Sequence, residues 1–114
     1  MTDKTFPEDK YDFYEILPLS DLPNGERLLL EIDDVPIVIF NIADHLYAVK
    51  DQCSHEDLDI GEGDLEGYEL ACPHHGARFD VRTGDVLSLP AVEGIPAYPV
   101  RIRDEMIELG IPKT

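Results

Sequence analysis

Two short stretches concentrate the residues able to bind a metal: Cys53-Ser54-His55 and Cys72-Pro73-His74-His75-Gly76. They contain both cysteines of the chain and three of its four histidines. Taken singly, such residues are bland, since an isolated Cys is usually a small buried hydrophobe and a lone surface His is solvated. Together they form a donor set, because sixteen residues separate His55 from Cys72 and a segment of that length can leave and return to the same place. Cys53, His55, Cys72 and His75 can therefore converge. Tetrahedral zinc accepts two thiolates and two imidazoles, but its usual loops space each like pair by two or more residues. Here each loop gives one Cys and one His, with one residue between them in the first and two in the second, which suits a binuclear iron–sulfur cluster with mixed ligands. Both chemistries stay open on these residues alone.

The elements that must position the four donors read as short strands with turns between them. Tyr14-Glu15-Ile16-Leu17 is the first, and the run Arg27 to Ile32 follows the Asn24-Gly25 turn. Asp33-Asp34 separates that run from Ile37-Val38-Ile39-Phe40, and Ala43-Asp44 separates the latter from Leu46-Tyr47-Ala48-Val49, so the order predicts an antiparallel meander. From Asp51 to Gly67 alternation fails and acidic residues and glycines accumulate, as in a loop that does chemistry. Tyr68-Glu69-Leu70-Ala71 resumes a strand. A second loop beginning at Cys72 leads into Arg78-Phe79-Asp80-Val81, then the turn Arg82-Thr83-Gly84-Asp85. The chain closes with Ala97 to Arg103 and Met106 to Leu109, joined through Asp104-Glu105 as a hairpin, with Pro99 marking an edge position. Nine prolines and the lack of a sustained 3.6-residue apolar period exclude long helices. The expected class is all-β, a small antiparallel barrel or sandwich in a single domain over residues 1–114, with candidate cluster-binding loops at about 51–67 and 72–78.

Cys-x-His, sixteen residues, then Cys-x-x-His-Gly resembles the signature of Rieske-type [2Fe–2S] ferredoxins, specifically the soluble ferredoxin components of multicomponent ring-hydroxylating oxygenases. The resemblance covers nearly the whole chain, including Phe79-Asp80, Thr83-Gly84, and Leu89-Pro90-Ala91, where the family places a proline loop beside the cluster. It implies one [2Fe–2S] cluster per chain, with Cys53 and Cys72 on one iron and His55 and His75 on the other; His74 is not carried over as a ligand. It further implies a one-electron carrier rather than an enzyme, passing electrons from a flavin-dependent NAD(P)H reductase to a terminal non-heme iron oxygenase. High-potential members resemble Cys-Pro-Cys-His-Gly-Ser-x-Tyr in the second loop. This chain has Ala77 and Phe79 in place of the two hydroxyl residues, and Leu58 and His74 in place of two further cysteines that staple the loops. Hydrogen bonds to sulfur stabilise the electron-rich reduced state, so their loss implies a low potential within the roughly −150 to +300 mV range of Rieske centres. Two alternatives accompany this reading: a small Rieske subunit of a larger, nitrite-reductase-like assembly, and a zinc-stabilised binding module.

Twenty-five acidic residues against nine basic ones give a formal charge of −16, which repels nucleic acid phosphates and anionic membranes and can steer basic protein partners. No apolar stretch reaches the length of a membrane-spanning helix, and Val35-Pro36-Ile37-Val38-Ile39-Phe40, the longest candidate, is strand-sized. The first ten residues lack the basic and apolar regions of a secretory signal and any twin-arginine pair, so a cytoplasmic location is expected. There thiols stay reduced, which disfavours a Cys53–Cys72 disulfide. Ser54 beside Cys53 is expected to act as a loop hydrogen-bonder rather than a nucleophile. Gly61-Glu62-Gly63 lacks the strand-to-helix setting of a nucleotide loop.

Overall fold

The computed structural model describes residues 6–54, 58–73, 76–89 and 93–113. Eleven strands lie in three antiparallel sheets among the described residues. The first sheet orders β1 (Tyr11–Pro18), β11 (Met106–Pro112) and β10 (Val100–Arg103) side by side; the second orders β2 (Arg27–Ile32), β3 (Val35–Ile42), β4 (His45–Lys50) and β9 (Ala97–Tyr98). The third is built from β5 (Leu65–Glu66), β6 (Glu69–Ala71), β7 (Arg78–Asp80) and β8 (Val86–Ser88). The all-β expectation holds, and the only described helices are single 3₁₀ turns at Glu8–Lys10 and Leu19–Asp21.

Three hairpins turn through pairs of residues with positive φ: Asp33-Asp34, Ala43-Asp44 and Asp104-Glu105. Two central residues in the left-handed region define the type I′ turn, whose twist matches that of the flanking strands. The Ala43 turn is latched from outside, because its N–H donates to Asn24 Oδ1 at 2.7 Å.

β3 joins the two halves of the molecule. Its successive residues point to opposite faces, so Val38 and Phe40 enter one buried cluster with the two cysteines while Ile37 and Ile39 enter another with Leu22, Ala48, Tyr98, Ile107 and Leu109. A strand buried on both faces reads as a continuous apolar run rather than an alternating one, which explains the composition of residues 35–40.

Several boundaries differ from the sequence expectation. β1 begins at Tyr11, three residues early, and carries a bulge between Glu15 and Leu17; the bulge disrupts the alternation that marks a strand. The segment 51–67 contains a two-residue strand, Leu65–Glu66. Val86–Ser88 forms a further short strand just beyond the Arg82–Asp85 turn. The run from Ala97 to Arg103 is split at Pro99, with β9 pairing β4 and β10 pairing β11. Proline cannot donate to a ladder, and Pro99 stands where the chain passes from one sheet edge to another.

Candidate metal centre

Each loop is closed by the same kind of bond. The Cys53 N–H donates to the Leu58 carbonyl at 2.9 Å, and the Cys72 N–H donates to the Ala77 carbonyl at 2.7 Å. In both cases a cysteine bonds to the fifth residue beyond it, and one of the candidate histidines falls between the two in sequence. The second loop is tightened further by the Gly76 N–H, which donates to the Cys72 carbonyl at 3.0 Å. His55 and His75 themselves lie outside the described residues, as does His74.

Cys53 and Cys72 are buried at 4% and 3% exposure, neither is in a disulfide, and both pack into one cluster with Leu70, Ala77, Phe79 and Ile60. The expected thiols are thus brought to the same buried place, one from each loop. Reduced, buried soft donors, each two or three residues from an imidazole in sequence, fit a mixed-ligand iron–sulfur cluster. Among the described residues no group of three or more His, Cys, Asp or Glu side chains offers a second metal site.

The first loop is held by two residues that sequence reasoning did not single out. Asp51, 5% exposed, accepts hydrogen bonds from the N–H groups of Ile60, at 2.8 Å, and Gly61. Arg27 on β2 donates to the carbonyls of Gly61 at 2.7 Å and Gly63 at 2.8 Å, while its guanidinium lies 5.0 Å from the Phe40 ring centroid. A carboxylate thus secures the amide hydrogens of the returning limb and a guanidinium secures its carbonyls. Gly63 is required by contact: a Cβ there would lie 1.9 Å from the Ala71 carbonyl oxygen. No local pattern links Asp51 to backbone groups 9 and 10 positions away, or Arg27 to ones 34 and 36 positions away.

The third stretch around the site is also anchored. Ser54 donates its hydroxyl to the Glu93 carbonyl, so it is a loop hydrogen-bonder as expected. Gly84, at φ +82°, receives the Ile95 N–H at 2.7 Å. Asp80 accepts from the backbone and side chain of Arg82, whose guanidinium stacks 4.2 Å from the Tyr68 ring centroid. Leu89 is 75% exposed; Pro90 and Ala91 of the expected proline loop lie outside the described residues.

The sequence matches the Rieske [2Fe–2S] domain family over residues 12–99. It is 37% identical over 97 residues to the 3-phenylpropionate/cinnamic acid dioxygenase ferredoxin subunit of Shigella boydii serotype 4, covering 84% of this chain and 91% of that one, and equally to the Escherichia coli K12 protein of the same name. Its structure is similar to the ferredoxin of carbazole 1,9a-dioxygenase from Nocardioides aromaticivorans IC177, with TM-score 0.80, 31% identity, and coverage of 89% of this chain and 98% of that one. These matches favour the iron–sulfur reading of the Cys/His set over the zinc alternative. With its paired loops, its reduced buried thiols and these relatives, the chain belongs to the Rieske [2Fe–2S] domain family and is a ferredoxin, an electron-transfer protein with one [2Fe–2S] cluster rather than a catalytic enzyme.

Proposed function

We propose that this chain is the ferredoxin of a ring-hydroxylating dioxygenase system, a low-potential one-electron carrier between a flavin-dependent NAD(P)H reductase and a terminal non-heme iron oxygenase. The observation that carries the site is the pair of matched hydrogen bonds, Cys53 to Leu58 and Cys72 to Ala77, with both thiols in one buried cluster. Cys53 and Cys72 would hold one iron and His55 and His75 the other. A cluster so bound supplies a one-electron couple. The chain's own part is to fix the ligands through Asp51 and Arg27, and to keep water from the thiolates with Phe79, Leu70 and Ile60.

The curated relatives are ferredoxin subunits of about this length, which supports a separate carrier over a permanently attached subunit. A similar chain, with TM-score 0.81 and 25% identity, comes from a complex of reduced oxygenase and oxidized ferredoxin in carbazole 1,9a-dioxygenase, and this supports an oxygenase as the electron acceptor. Ala77 and Phe79, both fully buried beside the cysteines, place no hydroxyl at the two tuning positions, in accord with a low potential. The carrier is assigned to the cytoplasm, where Cys53 and Cys72 stay reduced for cluster assembly. Electron paramagnetic resonance of the purified, dithionite-reduced protein tests the ligand set. A Rieske signal is expected in the parent and its loss in His55→Ala and in His75→Ala, since each histidine provides one of two protein ligands to its iron. A parent signal surviving unaltered in either variant overturns the assignment.

A further inference from the structure

A groove of about 540 Å³ opens between the first and second sheets, lined by Asp12 and Tyr14 of β1, Asp33 of the β2–β3 turn, Val35, Pro96, Tyr98, Ile111 and Pro112. Strand alternation puts Asp12 and Tyr14 on the same face of β1. The volume lies in the range of ligand sites. Its polar groups share one character. Asp12 and Asp33 are exposed carboxylates with no side-chain hydrogen bond or ion pair among the described residues, and no Lys, Arg or His is found in the described lining. The other polar contributors are the Tyr14 and Tyr98 phenols, set beside an aliphatic wall. Two carboxylates with no partner among the described residues, two aromatic rings and an apolar side match a cationic head on a methylene stem.

We infer that this groove docks a lysine or arginine side chain from a basic segment of a partner protein. The occupant follows from charge complementarity, local and global: a chain of net charge −16 draws basic surfaces toward it, and the groove is where such a side chain finds both charge and apolar cover. None of the lining residues belongs to either candidate cluster-binding loop. The inference does not depend on the identity of the redox partners.

Nuclear magnetic resonance titration of the cluster-loaded protein with an acetylated, amidated tetra-arginine peptide tests it, with the neutral tetra-citrulline peptide as the matched probe. Saturable shifts at Tyr14, Tyr98 and Ile111 are expected with arginine and not with citrulline. Asp12→Asn with Asp33→Asn should weaken binding at least fivefold, and Tyr14→Ala, which retains both charges, should weaken it as well. Asp104→Asn with Glu105→Gln changes the net charge equally at a distant turn and should alter affinity less than twofold. Equal weakening by the two charge pairs, shifts centred on other residues, or no saturable binding would overturn the inference. The electron paramagnetic resonance signal of each variant reports the cluster separately, so failure of the groove and failure of the carrier reading are distinguishable.

Discussion

Ala77 and Phe79 are fully buried in the cluster that contains both cysteines, and each lacks a hydroxyl that its high-potential counterparts would carry. Ala77→Ser and Phe79→Tyr should each raise the reduction potential, by tens of millivolts up to about 100 mV, because a donor aimed at sulfur stabilises the reduced state by roughly 1.5–3 kcal/mol before solvent competition. Protein-film voltammetry measures the shift. A hydroxyl that misses sulfur would be buried unsatisfied and would cost about 1–3 kcal/mol of stability with no gain in potential, so urea melts on the same variants separate the two outcomes. Asp51 has a different role, holding two backbone N–H groups in the interior. Asp51→Ala should destabilise the protein by about 2–4 kcal/mol and speed cluster loss on dilution, whereas Asp51→Asn, which keeps an acceptor, should recover most of both. Loss of the visible cluster absorbance with time checks this. Cys53 and Cys72 were legible as one group because each loop pairs a Cys with a His at short spacing, and the structure brings both thiols into one buried cluster. Asp51 and Arg27 were not, because their partners are backbone groups that carry no sequence signature.

Among the elements, the three type I′ turns were legible because paired short polar or small residues between apolar runs define them locally. The partition of Ala97 to Arg103 was not, since only the tertiary arrangement decides that β9 completes one sheet and β10 another. Tyr98 on β9 shows what this crossing buries. Its phenol is pushed above the ordinary value of 10.0, first by burial and then by the nearby Tyr11 phenol. A folded-state pKa above the unfolded one gives a contribution fully present below the unfolded value and lost as pH rises through the folded value. Stability from urea melts should thus decline above about pH 10, where an exposed tyrosine ionises, and Tyr98→Phe should flatten that decline.

At the scale of the molecule, the excess of acid over base gives a field whose reach depends on salt. If it steers association, second-order electron-transfer rates with the reductase or oxygenase should fall as ionic strength rises, as the Debye length shrinks to about 8 Å near physiological salt. Stopped-flow rates that stay flat across that range would leave the acidity as a matter of solubility. The antiparallel class follows from turn spacing. The existence of two cores does not, because β3 serves both and its apolar run is equally compatible with one.

The pairing of β1 with β11 carries a further consequence. Tyr14 faces Leu109 across a ladder whose two strands lie about ninety-five residues apart in the chain, while β2, β3 and β4 find their partners through two-residue turns. Closing so large a loop is entropically slow, whereas hairpins form early. Refolding of the apoprotein should therefore zip the meander first and leave the earliest strand waiting for the latest. Until it is met, β1 presents an open edge to any other chain nearby, so the interval between hairpin formation and this final pairing is when the protein is most exposed to aggregation.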